Sequence, residues 1–168
     1  MRKLLFVASG LVLVGCGQSR ATAELMNTGG QKIGTATLVE RGDSVELQVE
    51  VTGLEPGRHG IHFHEAGLCE TPGFTSAGSH FNPLGKQHGL ESPTGAHAGD
   101  LPNLEADASG KASYKATTNR VTLDEGQLSI FDADGTALVI HARADDQMTD
   151  PSGNSGERVA CGVLTRDE

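Results

Sequence analysis

The sequence predicts an all-β fold, an antiparallel sandwich or barrel, and three observations carry that expectation. Gly is conspicuous at 23 residues while aromatics are scarce, with Phe 5, Tyr 1 and Trp 0, a composition of turns and short strands. Residues 44–51, SVELQVEV, alternate strictly: Val45, Leu47, Val49 and Val51 face one way, Glu46, Gln48 and Glu50 the other, as in a strand with one wet face. No segment carries a convincing apolar stripe at the 3.6-residue helical period.

The chain of 168 residues suits one domain with a short appendage. The appendage is the N-terminus. Arg2 and Lys3 precede LLFVASGLVLVG, an apolar run too short to span a bilayer as a stable helix, so residues 1–15 read as an export signal. The run ends in LVGC, which resembles a lipobox and makes Cys16 the expected lipidation site; an ordinary signal with an incidental Cys16 is the alternative. Residues 16–20 then form the lipidated Cys and a short tether, and residues 21–168 the domain. Several acyl chains anchor firmly where one is marginal. The expected location is therefore outside the cytoplasm, on the cell membrane or outer membrane, facing the periplasm or exterior. The formal net charge of −9 argues against a nucleic-acid partner.

Within the domain, ATAELMN and KIGTATLVE flank the Gly-rich hairpin signal TGGQ, and RGD turns the chain into the 44–51 strand. GIHFHEAG follows LEPG; GTALVIHAR and ERVACGVL are two later strand-like runs, and SYKATTNR is a weaker one. Two segments depart from the pattern. Residues 66–103 are rich in Gly, Pro, Ser and His without periodicity, and residues 143–157 are polar and Gly-rich. A structureless loop as long as the first is unusual in a compact domain unless something holds it. With Cys16 set aside, Cys69 and Cys161 remain, and an exported domain with one such pair reads as one disulfide, two free buried thiols being the alternative. Closing so long a loop is worth about 4–5 kcal/mol in the chain-entropy model.

The histidines sort by position. Side chains two apart on a strand share a face, so His62 and His64 project together. His59 has the opposite parity, lies in PGRHG, and is read as a surface histidine. His141, alone on the LVIHA strand, is a candidate partner for the pair. In the long loop His80, His88, His97 and Asp100 make three imidazoles and a carboxylate, a donor set suited to tetrahedral zinc closed to substrate. His62, His64 and His141 offer only nitrogen, which suits copper. Scattered surface histidines are the alternative for either set.

The segments GIHFHEAGLCE, AGSHFNP, QHG, GAHAGDLPN, VIHARADD and GNSGERVACGV, in this order over roughly residues 21–164, resemble the copper/zinc superoxide dismutase family. The resemblance implies a Greek-key β-sandwich or barrel with two long functional loops. It implies one copper per subunit on His62, His64, His80 and His141, and one zinc per subunit on His80, His88, His97 and Asp100, with His80 bridging the two. It makes Cys69–Cys161 the family disulfide, Arg158 the arginine that docks the anion, His80 and Arg158 the catalytic pair, and Asp145 the carboxylate linking His62 to His88. The implied activity is conversion of superoxide to dioxygen and hydrogen peroxide, with a non-catalytic copper/zinc-binding protein of the same fold as the rival. Monomer and dimer are both compatible with the sequence. The 143–157 loop departs from a cation-rich guiding segment: it holds Asp145, Asp146, Asp150 and Glu157 against Arg143, so attraction of an anion falls to Arg158 and the metals, with Lys86 as an auxiliary.

Overall fold

The structure is a computed structural model and describes residues 18–167; the expected export signal and Cys16 lie outside the described residues. Strands β1 (Arg20–Asn27), β2 (Lys32–Arg41) and β3 (Ser44–Val51) form a meander, with β7 (Ala112–Thr118) against β3. On the other side of β1 lie β9 (Arg158–Val163), β8 (Ala137–His141) and β5 (Ile61–His64). The strand order is β5-β8-β9-β1-β2-β3-β7, every pair antiparallel, and between β7 and β8 the chain crosses from the β7 edge to the strand next to β5. The short pair β4 (Gly57–His59) and β6 (Leu104–Ala106) flanks this sheet, and β10 (Thr165–Arg166) pairs with β1. All-β antiparallel architecture is thus borne out.

Alternation sets the core. Val45, Leu47, Val49 and Val51 of β3 are buried as their period-two pattern predicts, and with Leu25, Leu38, Ile61, Phe63, Leu138 and Ile140 they form one apolar interior. In β5 and β8 the residues between those inner ones are buried too. Their outer face is covered by the long loop, where Phe74 and Ala77 pack on Ala137, Val139 and Cys161. The Cys69–Cys161 disulfide, spanning a sequence separation of 92, joins that loop to β9.

The loop is held by main chain as well. Phe63 of β5 donates its N–H to Gly99 O, and its own carbonyl accepts Phe81 N–H; Gly99 N–H closes the set on Phe81 O. Bridges His64 to His80 and His62 to Asp100 run alongside. Gly99 is required for this approach, since a Cβ there would stand 2.3 Å from Phe63 O. SYKATTNR, the weaker strand signal, forms β7 in full register with β3 over Ala112–Thr118. The three-residue strands β4 and β6 have no period to read.

Candidate metal centre

His62, His64 and His141 share the outer face of neighbouring strands, because His62 and His64 alternate with the core residues Ile61 and Phe63 and His141 follows the core residue Ile140. The long loop returns along β5 and adds His80. The four donor atoms lie within 4.8 Å of one another and all four residues are buried. Each ring is fixed through its outer nitrogen. His62 Nε2 donates to Asp145 Oδ2 at 2.6 Å, His64 Nδ1 to Gly78 O at 3.0 Å, His141 Nδ1 to Gly156 O at 3.1 Å, and His80 Nδ1 faces Asp100 Oδ1 at 2.9 Å. The opposite nitrogens, His62 Nδ1, His64 Nε2, His80 Nε2 and His141 Nε2, are buried without a hydrogen-bond partner. Unpartnered buried polar atoms are rare, and four that converge describe a cation site.

The second set meets at Asp100 Oδ1. His80 Nδ1, His88 Nδ1 and His97 Nδ1 stand 2.9, 3.0 and 3.4 Å from it, and His80 Nδ1 and His97 Nδ1 are 3.4 Å apart. A tetrahedron of N and O donors around zinc has edges of about 3.3 Å, so the set fits zinc. Asp100 Oδ2 is taken by Gly89 N–H at 2.8 Å and His97 N–H at 3.0 Å, which turns Oδ1 to the centre. Asp145, fully buried, joins the halves: Oδ2 receives His62 Nε2–H and Oδ1 receives His88 Nε2–H at 3.0 Å. Glycines let the loops close here. Gly89, at φ +103, presses on Gln147 O, and Gly153, at φ +60, lies on Asp145, where a Cβ would collide.

The family model described as copper/zinc superoxide dismutase (SODC) matches residues 32–164. The chain belongs to the copper/zinc superoxide dismutase family. It is 45% identical over 170 residues to "Superoxide dismutase [Cu-Zn] 2" of Aquifex aeolicus, covering 98% of this chain and 99% of the relative. It is 43% identical over 147 residues to "Superoxide dismutase [Cu-Zn]" of Caulobacter vibrioides, covering 86% and 84%. Among solved structures, a SOD-like protein from Bacillus subtilis superposes with a TM-score of 0.82 at 41% identity, covering 86% of this chain and 97% of that one.

The electrostatics of this dismutase-family site follow from burial. Burial holds His62 down to about 3 against the opposing Asp145 bond, and His141 to about 4 against the Gly156 carbonyl. His64 and His80 are lowered for the same reason. These rings are therefore neutral, with the donor nitrogen free. Burial also pushes His88 down, but Asp100 and Asp145 outweigh it and raise the ring to about 9. Burial would raise both aspartates; the histidine bonds prevail and keep Asp100 and Asp145 well below the usual carboxylate range.

Arg158, at the start of β9, does not pair with Glu157. Its Nη1 donates to Phe74 O and its Nη2 to Gly78 O, both at 2.6 Å, and Gly78 O also accepts His64 Nδ1–H. The guanidinium is thus fixed beside the nitrogen set, on the loop that the disulfide clamps.

His59 corrects the expectation of a surface histidine. It is 2% exposed, ends β4, and bonds Glu55 O through Nε2 at 2.8 Å and His141 O through Nδ1 at 2.7 Å. Strand β4 pairs with β6 outside the main sheet, so the parity of β5 does not govern where the His59 side chain goes. Asn103 was missed altogether: its amide receives Asp145 N–H at 2.7 Å and donates to Asp145 O at 2.8 Å. No periodicity marks either residue; their partners are main-chain groups.

Proposed function

We propose that the chain is a copper/zinc superoxide dismutase, taking two superoxide anions and two protons to dioxygen and hydrogen peroxide. The observation that carries the reading is the convergence of four unpartnered buried nitrogens beside a clamped arginine. His62, His64, His80 and His141 would hold copper, and His80, His88, His97 and Asp100 zinc, one of each per subunit. Copper, when bound, supplies a one-electron couple that takes an electron from one superoxide and returns it to a second.

The chain's own groups do the rest. Carbonyls and carboxylates behind the rings keep each tautomer and orientation, as ligand-supporting groups do. Arg158 offers its remaining guanidinium N–H groups to the anion while two carbonyls prevent it from swinging away. His80 presents Nε2 toward the copper set and Nδ1 toward the zinc set, so it can hold a proton at Nε2 and hand it to departing peroxide without turning.

The rival is a metal-binding protein with a dismutase-like fold, and a relative in Bacillus subtilis, 39% identical over 184 residues, is named superoxide dismutase-like. A complete nitrogen set with Arg158 at its edge favours catalysis. Plasma emission on the purified protein, beside a superoxide-consumption assay, tests this: one copper, one zinc and activity are expected. Both metals without activity would establish the rival, and absence of copper would overturn the ligand assignment.

The same proposal extends to location. Leu13-Val14-Gly15-Cys16 closes a short apolar run, and β1 begins at Arg20, leaving a tether of a few residues. A signal at 1–15, a lipidated Cys16 and residues 21–168 as the domain place it on the cell membrane or outer membrane, facing the periplasm or exterior. The disulfide fits an oxidising compartment. Mass spectrometry of the mature N-terminus tests it; an unmodified Cys16 refutes the anchor.

A further inference from the structure

We infer that Arg120 is a positioning residue for the zinc set: it fixes the main chain of Asp100 so that Oδ1 is the atom left for the metal. This rests on the zinc reading above.

Arg120 lies in the crossover between β7 and β8, outside the 66–103 loop that carries His80, His88, His97 and Asp100. Its Nη2 donates to the main-chain oxygen of Asp100 at 2.6 Å. Its Nε is buried without a partner, so the guanidinium is turned inward and not to solvent. Its own N–H is held by Thr118 Oγ1 at 3.1 Å, and Thr118 is a buried residue at the end of β7. The arm therefore ties the sheet to Asp100.

With this bond, every polar atom of Asp100 except Oδ1 is committed. Its N–H goes to His97 O at 3.3 Å, its carbonyl to Arg120, and Oδ2 to two main-chain N–H groups. On the other side its main chain bridges to His62 of β5. Without Arg120 the carbonyl is a buried acceptor with no donor, which is costly, and the peptide turns to find one, carrying the carboxylate with it. The role is geometric. A fixed positive charge beside a site for a divalent cation opposes zinc electrostatically, so attraction does not explain a guanidinium there.

The test uses metal-loaded protein carrying Arg120→Gln or Arg120→Lys, with zinc and copper withdrawn separately by graded chelator competition. Cobalt(II) in the zinc set reports its geometry through its visible spectrum. For Arg120→Gln, zinc affinity is expected to fall about 10–100-fold, the usual effect of losing a group that supports a metal ligand, while copper stays within about threefold. The cobalt spectrum shifts, and Arg120→Lys recovers part of the zinc affinity. Zinc affinity unchanged or tighter in any folded variant overturns the inference, and so does parallel loss of both metals, which is general loosening. If Arg120→Gln does not fold, Arg120→Lys alone must show weaker zinc and an altered cobalt spectrum, or the inference fails. A parent protein that binds no zinc would instead refute the proposed function.

Discussion

Asp145→Asn is the sharpest perturbation of the centre, because one carboxylate serves both halves. Oδ2 accepts from His62 Nε2 at 2.6 Å; Oδ1 accepts from His88 Nε2 at 3.0 Å and from Gln147 N at 2.6 Å. An amide has one oxygen. Whichever way it turns, at least one ligand ring meets an NH2 in place of an acceptor, and the other loses a charge-assisted bond. Such bonds are worth about 1.5–3 kcal/mol where buried, or roughly 10–100-fold in affinity at about 1.4 kcal/mol per decade. The ring facing the amide nitrogen is expected to lose that much affinity for its metal, and the other ring's metal is expected to weaken by less. Chelator competition with metal quantified by emission reads both. Asp146→Asn is the control: that carboxylate accepts Met148 N–H, Thr149 N–H and an Asn154 amide N–H, and contacts no ligand. If Asp145→Asn retains both metals as the control does, the carboxylate does not couple the sites.

His141→Ala is expected to keep zinc and the fold but lose copper and nearly all activity, because His141 belongs only to the set proposed for copper; equal loss of both metals refutes the division. His59→Ala removes the ring that bonds the buried His141 O, a cost of roughly 1–3 kcal/mol for one buried acceptor, read as a lower melting temperature with the disulfide intact. Metal-free protein is expected to be most stable near pH 6.5. Below about 6.5 the unfolded chain protonates His62 and His141 while the folded chain, at about 3 and about 4, does not, so stability falls with pH. His88, raised to about 9, adds stability that is full below 6.5 and is lost as pH rises through 9. Melting scans on either side of that optimum check both flanks, and a maximum at pH 5 contradicts the assignment. Arg158→Glu is expected to cut activity severely with metals retained. Wild-type activity should fall with salt, over a Debye length of about 10 Å at 0.1 M, and the variant should show a flat or reversed dependence.

The site was more legible than the path of the chain that builds it. Strand parity alone put His62 and His64 on one face, and the structure sets His141 beside them on the neighbouring strand. The donor types separated a nitrogen set from a mixed one before any contact was known. The route of residues 66–103 was not legible, because it is held by Phe63, Phe81 and Gly99 through N–H and C=O groups that every residue carries. His59 failed for the same reason: a histidine between two carbonyls has no signature distinguishing it from one in water. Arg120 sat inside a weak strand signal, 20 positions from the aspartate it reaches.

Net charge and local charge also answer different questions. An acidic chain repels a distant anion, but a cleft wall of one sign governs the last approach. Three carboxylates of the 143–157 loop accept hydrogen bonds from within the protein, and Asp145 alone of them is buried. Asp145 holds His62 and His88, Asp146 closes a turn, and Asp150 accepts His88 N–H. Arg158 makes its two hydrogen bonds to carbonyls and not to a carboxylate, which fixes its place, while the Glu65 carboxylate is near enough to act on its charge. One of those carbonyls, Gly78 O, also orients His64. The cation proposed to meet the anion and a ring of the four-histidine set therefore share one acceptor atom, on a loop tied to β9 by Cys69–Cys161.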